Sequence, residues 1–247
     1  MQAGREVRTI KTAIEIITEL HPQHHGDLGV LFEMIRQVRE GGADVAKLQL
    51  YDAGKLLGPA WQYLELDRDQ LRSIKDYCDY VGIELMASVF DRTRLEWCED
   101  LGLQRYKIAS RTVVDDPKLC EEILDLGKVT FVSLGQWTGS DLPFGDRPTA
   151  RHLFCVSKYP TLAADLQGFP SSFPAHCLDG YSDHTIGIDW SLLAIARGAA
   201  VIEKHFTLSK DANSATERGH AGSMDLADLV LLRRIGDGLL RAYTACA

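Results

Sequence analysis

Gly180-Tyr181-Ser182-Asp183-His184-Thr185 closes one strand-like segment, and Ala199-Ala200-Val201-Ile202-Glu203-Lys204-His205-Phe206-Thr207 carries the next. Between them lies a helix-like run, Ser191-Leu192-Leu193-Ala194-Ile195-Ala196, ended by Arg197-Gly198. The order is strand, helix, strand, with a histidine just past the carboxyl end of each strand. In a parallel sheet with right-handed crossovers, both strand ends open on the same side. Neighbouring strands lie ~5 Å apart, so His184 and His205 are close enough to share one metal ion. A single histidine in such a place is more often a hydrogen-bonded loop residue. Two at equivalent strand ends, each among polar residues and threonine, make a shared metal site as good a reading as two loop residues.

Working outward, the same strand–helix rhythm recurs. Apolar strand patterns run over 13–19, 45–50, 83–88, 105–110, 129–134, 153–156, 178–182 and 200–203. Helical spacing follows most of them. Asp27 caps a run with Leu28, Leu31, Ile35 and Val38 on one face. Asp67 and Gln70 open a second, with Leu71, Ile74, Cys78 and Val81. Asp91 opens a third through Leu95, Trp97, Cys98 and Leu101, and Asp116-Pro117 a fourth, with proline in the first turn. The last helix is expected over 224–243. Residues 51–66 read as a long loop of the kind that covers an active site. Over 135–150 the sequence is rich in Gly, Pro and Asp without a 3.6-residue period, so the fifth helix is expected to be missing. Residues 161–177 hold at most a short, proline-interrupted helix. Eight βα units predict an α/β fold, a closed (β/α)8 TIM barrel, as a single domain over 1–247 with the barrel at about 12–243. An open doubly wound sheet is the rival, but no Gly-x-Gly-x-x-Gly follows the first strand.

Composition fits this. A chain of 247 residues, 45% apolar and 25% charged, suits one α/β barrel. The net charge of −8 argues against nucleic acid or an acidic membrane as partner. The six cysteines are scattered, with no Cys-x-x-Cys pair, so neither a zinc ribbon nor a redox motif is indicated. No apolar run approaches membrane-spanning length and no secretory leader is evident, so the expected location is the cytoplasm.

If the barrel closes, its strand ends share one rim. Glu19, Lys47, Gln49, Ser88, Lys107, Ser110, Ser133, Tyr159, Ser182, His184 and His205 then surround one pocket. Lys47 and Lys107 stand inside apolar strands, where a buried ammonium needs a partner; the plainer reading has them reach the surface or pair with a structural carboxylate. Two lysines and several serine hydroxyls suit a phosphate or carboxylate ligand. With a divalent ion alongside, they describe a site for a phosphorylated carboxylic acid.

Several of these segments resemble the sialic acid synthase family, whose members condense phosphoenolpyruvate with an N-acetylated sugar aldehyde. The resemblance covers about 14–240 and rests on Glu19 with His24-His25-Gly26-Asp27, on Gly42-Ala43-Asp44-Val45-Ala46-Lys47-Leu48-Gln49, on Tyr106-Lys107-Ile108-Ala109-Ser110 and on Tyr159-Pro160-Thr161. It rests above all on the two histidine segments quoted first. It implies that His184 and His205 bind a divalent ion, manganese before magnesium or cobalt. It implies that Lys47, Ser88, Lys107, Ser110, Ser133 and Ser182 contact phosphoenolpyruvate. Glu19 would lie beside the reacting carbons, and Gln49 and Tyr159 on the acceptor side. The chain also departs from the family. Arg111-Thr112 stands where Gly-Glu is usual, so an acceptor-side carboxylate is replaced. Ser157 stands where asparagine is usual. Residues 211–220 do not align with the family's sugar-binding aspartate, and a carboxyl-terminal antifreeze-like domain is not expected.

The function expected from this resemblance is metal-dependent condensation of phosphoenolpyruvate with an aldehyde acceptor, giving a 2-keto-3-deoxy acid and phosphate. A metal-dependent aldolase or lyase acting on a 2-oxo acid is the alternative, and an inactive anion-binding relative is another. A homodimer is expected, because a missing fifth helix would leave apolar surface that Trp137, Leu142, Pro143 and Phe144 of a partner's loop suit; the other reading has that loop fold back over its own barrel.

Overall fold

Eight short strands pair in parallel, each with its successor in the chain, and the last closes on the first. The computed structural model describes residues 13–211 and 221–246; the expected amino-terminal extension over 1–11 and nearly all of the 211–220 stretch lie outside the described residues. The strands are β1 (Glu15–Glu19), β2 (Val45–Leu50), β3 (Glu84–Val89), β4 (Arg105–Ile108), β5 (Val129–Ser133), β6 (Ala150–Cys155), β7 (Gly180–Asp183) and β8 (Val201–His205). The helices are α1 (Leu28–Glu40), α2 (Ala53–Leu56), α3 (Arg68–Val81), α4 (Arg92–Asp100), α5 (Ser110–Asp115), α6 (Pro117–Asp125), α7 (Asp189–Ala196) and α8 (Leu226–Cys246). This is the (β/α)8 barrel the sequence predicts. Among the described residues, no helix is long and apolar enough to cross a membrane.

Local chemistry sets the helix ends. The Asp27 carboxylate accepts from the amides of Gly29 and Val30, and Asp67 and Gln70 form a reciprocal capping box. Each satisfies amides that the first turn leaves without partners. The buried faces are close to those the spacing marks: on α1 Leu31, Ile35 and Val38 are buried, joined by Met34, while Leu28 is half-buried; on α3 Leu71, Ile74 and Cys78 are buried and Val81 is half-buried.

Side chains alternate across each strand, so every second residue points into the barrel. Three tiers result. At the amino-terminal end, Arg105 reaches across the barrel to Glu15 and Glu84. Above it, Ile17, Val45, Met86, Phe131, Leu153 and Val201 form a separate apolar cluster. Each such side chain contributes about 1.5–3 kcal/mol on burial, and together they plug the barrel. Gly180 lets β7 and β8 approach at this level, since a Cβ there would lie 2.0 Å from the Val201 carbonyl oxygen. The third tier, at the carboxyl-terminal ends, is polar.

Some boundaries differ from expectation. No helix lies between β5 and β6, as predicted, but Pro143 is buried and Phe144 packs on the core of its own chain, while Trp137 is 37% exposed. The loop therefore fills part of the gap itself. Residues 51–66 are not a plain loop: they hold α2 and a 3₁₀ turn, Pro59–Leu64. Ser110 is not strand but the first residue of α5, a helix the sequence did not announce. His205 is the last residue of β8, not one just past it.

Candidate active site

The third tier is built by register. Glu19 of β1 lies beside Lys47 on one side and His205 on the other. Gln49 pairs with Ser88, Ser88 with Lys107, and Ser182 with Glu203. These inward-facing positions open into a cavity of about 610 Å³. All eleven residues singled out from the sequence line it: Glu19, Lys47, Gln49, Ser88, Lys107, Ser110, Ser133, Tyr159, Ser182, His184 and His205.

Charges on the floor alternate. Lys47 pairs with Glu19 in a short contact and with Glu203 at 3.0 Å, and Lys107 meets the other oxygen of Glu203 at 3.2 Å. That last contact is an ion pair without hydrogen-bond geometry, since Glu203 Oε2 accepts no hydrogen bond. Lys47 also donates to Ser88 Oγ at 3.2 Å and Lys107 to Ser133 Oγ at 2.6 Å. Glu19 is fixed by the His21 amide at 2.8 Å and the Gln49 amide at 3.1 Å. All four charged groups are buried. Burial alone would neutralise them, so the partners decide. Burial pushes the Glu203 carboxyl up, but Lys107 and Lys47, with a Ser182 hydrogen bond, bring it down to about 2. Burial outweighs Lys47 at Glu19, whose carboxyl is raised. Burial lowers Lys47, but its two carboxylates reverse this and keep it charged. Burial lowers Lys107, which has Glu203 to offset it and Lys47 to add to it, so its ammonium is the more readily neutralised.

On the rim, the His184 and His205 ring centres are 5.8 Å apart. The Tyr159 ring packs 4.1 Å from His184 and 6.0 Å from His205. Nδ1 of His184 donates to the Val156 carbonyl at 2.8 Å, which puts the neutral ring's lone pair on Nε2. Behind the histidines, the fully buried Lys204 and Asp183 pair at 3.1 Å. Asp183 also accepts from the Thr185 amide and hydroxyl and from Ser191, and Lys204 donates to the Thr185 carbonyl at 2.7 Å. Gly222 seals the same turn; a Cβ there would lie 2.6 Å from the His184 carbonyl oxygen. No group of three His, Cys, Asp or Glu that could hold a metal occurs among the described residues. Two imidazoles alone do not make a closed zinc site. They fit an ion whose other ligands are water and substrate oxygens.

Several cavity residues were not singled out from the sequence, among them Glu203, Cys155 and Arg111. Glu203 follows from period two once β8 is extended to His205, because residues 203 and 205 share a face. Cys155 shares its face with Leu153 in the same way and lies 3.9 Å from His184 Nδ1. Arg111 was hidden by α5. The sequence points to Thr112 as the replacement for a carboxylate in the pocket, but Thr112 is buried outside the cavity lining, with its hydroxyl making no hydrogen bond, and Arg111 lines the cavity instead. The remaining walls differ in character. Leu56, Leu57, Trp61, Leu64 and Phe90 form an apolar wall, and Arg111, Gln136, Ser157 and Lys158 a polar one.

Comparison with known proteins shows the family. Residues 34–235 match the NeuB family. The chain is 30% identical to human N-acetylneuraminate-9-phosphate synthase, over 93% of this chain and 72% of that protein. It is 28% identical to the N,N'-diacetyllegionaminic acid synthase of Campylobacter jejuni, over 92% of this chain and 79% of that one. Among solved structures, the N-acetylneuraminic acid synthetase of Leptospira borgpetersenii, in complex with citrate, superposes with a TM-score of 0.83 at 25% identity, covering 93% of this chain and 85% of that one.

Proposed function

The chain belongs to the NeuB family, and from that premise we propose that its cavity joins phosphoenolpyruvate to an aldehyde sugar with a divalent ion at His184 and His205. It is a carbon–carbon bond-forming synthase of the sialic acid type. The observation that carries this reading is the floor: two buried lysines, alternating with two carboxylates and hydrogen-bonded to Ser88 and Ser133, in a cavity that the histidine pair also lines.

Lys47 and Lys107, with Ser88, Ser110, Ser133 and Ser182, receive the carboxylate and phosphate of phosphoenolpyruvate. Gln49 and Tyr159 orient the acceptor so that its carbonyl carbon meets C3. An ion on the two imidazoles, manganese by preference, would supply Lewis-acid polarisation of that carbonyl. As the C3 bond forms, C2 loses electron density, and the Glu19 carboxylate stabilises the charge that develops there. Water then adds to C2 and gives its proton to Glu19, whose raised affinity for protons suits a general base. The acceptor's new alkoxide oxygen takes that proton from Glu19, and the C2 hydroxyl proton leaves with phosphate as the C2–O bond breaks, which gives the 2-keto group with Lys107 as a donor to the departing phosphate.

The test is phosphate release from phosphoenolpyruvate and manganese across a panel of aldehydes. We expect release with wild type and its abolition in His184→Ala and His205→Ala, with unchanged circular dichroism. Near-normal turnover and bound manganese in either variant would overturn the shared-ion reading. Consumption of a 2-oxo acid without phosphoenolpyruvate would replace the synthase with a lyase.

A further inference from the structure

We propose that the acceptor carries an anionic group, phosphate or carboxylate, remote from its aldehyde, and that Arg111 and Lys158 bind it at the cavity mouth. This rests on the synthase reading above.

Charge in the cavity is unevenly matched. Among the described residues its carboxylates are Glu19, Asp183 and Glu203. Glu19 and Glu203 are engaged by Lys47 and Lys107 on the floor, and Asp183 by Lys204 behind the histidines. Two cations lining the same cavity, Arg111 and Lys158, form no ion pair with those three carboxylates among the described residues. Both stand on the polar wall with Gln136 and Ser157. Their partners are Asp115 and Asp165, which do not line the cavity.

Those outside pairs are weak holds. Arg111 Nε lies 3.6 Å from Asp115, an i,i+4 contact too long for a hydrogen bond, with side chains 41% and 64% exposed. Lys158 meets Asp165 at 2.7 Å, but its side chain is 55% exposed. Exposed pairs of this kind contribute about 0–1 kcal/mol, so an incoming anion can displace either carboxylate. A guanidinium offers a planar fork that matches phosphate or carboxylate, and a neighbouring ammonium adds a point charge. In a protein of net charge −8, a mouth with two such cations also selects among ligands by field. The position matters for the chemistry, because the wall adjoins Tyr159, which packs on His184. A group held there belongs to the molecule whose carbonyl sits at the histidines, and that molecule is the acceptor.

The experiment compares matched aldehydes with manganese and phosphoenolpyruvate: N-acetylmannosamine against its 6-phosphate, D-arabinose against its 5-phosphate, and D-glucose against D-glucuronate. We expect the anionic member of at least one pair to be favoured by roughly 30-fold in kcat/KM, the scale of one charge-assisted contact. Arg111→Ala should erase most of that preference by raising the acceptor KM, Arg111→Lys should restore part of it, and Lys158→Ala should reduce it by about fivefold. Neutral members preferred throughout, or a raised KM for phosphoenolpyruvate instead of the acceptor in Arg111→Ala, would overturn the proposal while leaving the synthase intact. If no aldehyde releases phosphate, the synthase reading falls, and calorimetry still decides on Arg111: sugar phosphates bound equally by wild type and Arg111→Ala refute it, and binding lost in Arg111→Ala sustains an anion site at the mouth.

Discussion

The barrel holds an ionic cluster at each end, and the two are built differently. At the amino-terminal end one guanidinium serves two carboxylates: Arg105 makes a fork with Glu84 at 2.7 and 2.5 Å and a third, short bond to Glu15, with its plane 5.9 Å from the Phe131 ring. At the carboxyl-terminal end two ammonium groups and two carboxylates alternate, with serine hydroxyls on the outer side of each lysine. Arg105 is 19% exposed and its bonds leave little for a ligand to add, whereas Lys47 and Lys107 are each 4% exposed and face a cavity. Planar forks are matched donor sets, and compact ammoniums are adaptable ones. One apolar tier separates them, so the same residue classes close one mouth and line an open cavity at the other.

The largest effect that would break this contrast is at Lys107. Lys107→Met should lower kcat/KM by about a thousandfold, near 4 kcal/mol of barrier, because an anion then meets Lys47 alone. Its melting temperature should stay within a few degrees of wild type, since a buried ammonium is itself costly. A loss of stability without a loss of rate would make the upper cluster structural, like the lower.

Acid is the second probe. The Glu203 carboxyl is held at about 2, against 4.5 when unperturbed. A carboxyl depressed in the folded state stabilises it above the unfolded value, and that contribution fades as pH falls from 4.5 towards 2. The shift corresponds to about 3 kcal/mol. Urea unfolding at pH 6 and pH 3 should show most of this difference, and Glu203→Gln should show a shallower pH slope. An equal slope in that variant would assign the acid sensitivity elsewhere.

The smallest expected effect sharpens the comparison from below. Arg105→Met leaves Glu15 and Glu84 facing one another and should cost about 2 kcal/mol by urea unfolding. In the folded fraction, kcat/KM should stay within about twofold of wild type, as the change lies beyond the apolar tier. A drop in rate at unchanged stability would mean that the tier transmits strain from one end to the other.

Most of the upper cluster was legible because strand periodicity is simple. Lys47 and Gln49 share a face with Val45, so one buried strand places both. Glu203 was less visible because β8 was read as ending there, and only the two added residues show that it shares a face with His205. Arg111 needed more than periodicity. Successive helix residues point about 100° apart, so the unannounced start of α5 decides which of Arg111 and Thr112 meets the cavity. The loop over 135–150 was correctly read as lacking a helix, but its packing was not legible: Phe144 turns inward at a positive φ of 65°, a conformation sequence patterns do not mark for phenylalanine.

Glu19 lies in the first strand and His205 in the last, yet the two are direct neighbours in the sheet. A chain emerging from the ribosome displays Lys47 and its Glu19 partner early. Glu203 and His205 arrive only after the other seven strands have been made. Through most of synthesis the prospective pocket is a half-ring with an ammonium on a bare edge, with neither histidine pair nor matched floor. The full ring of cavity residues is thus completed only with the last strand, and it exists only in a chain whose first and last strands have met.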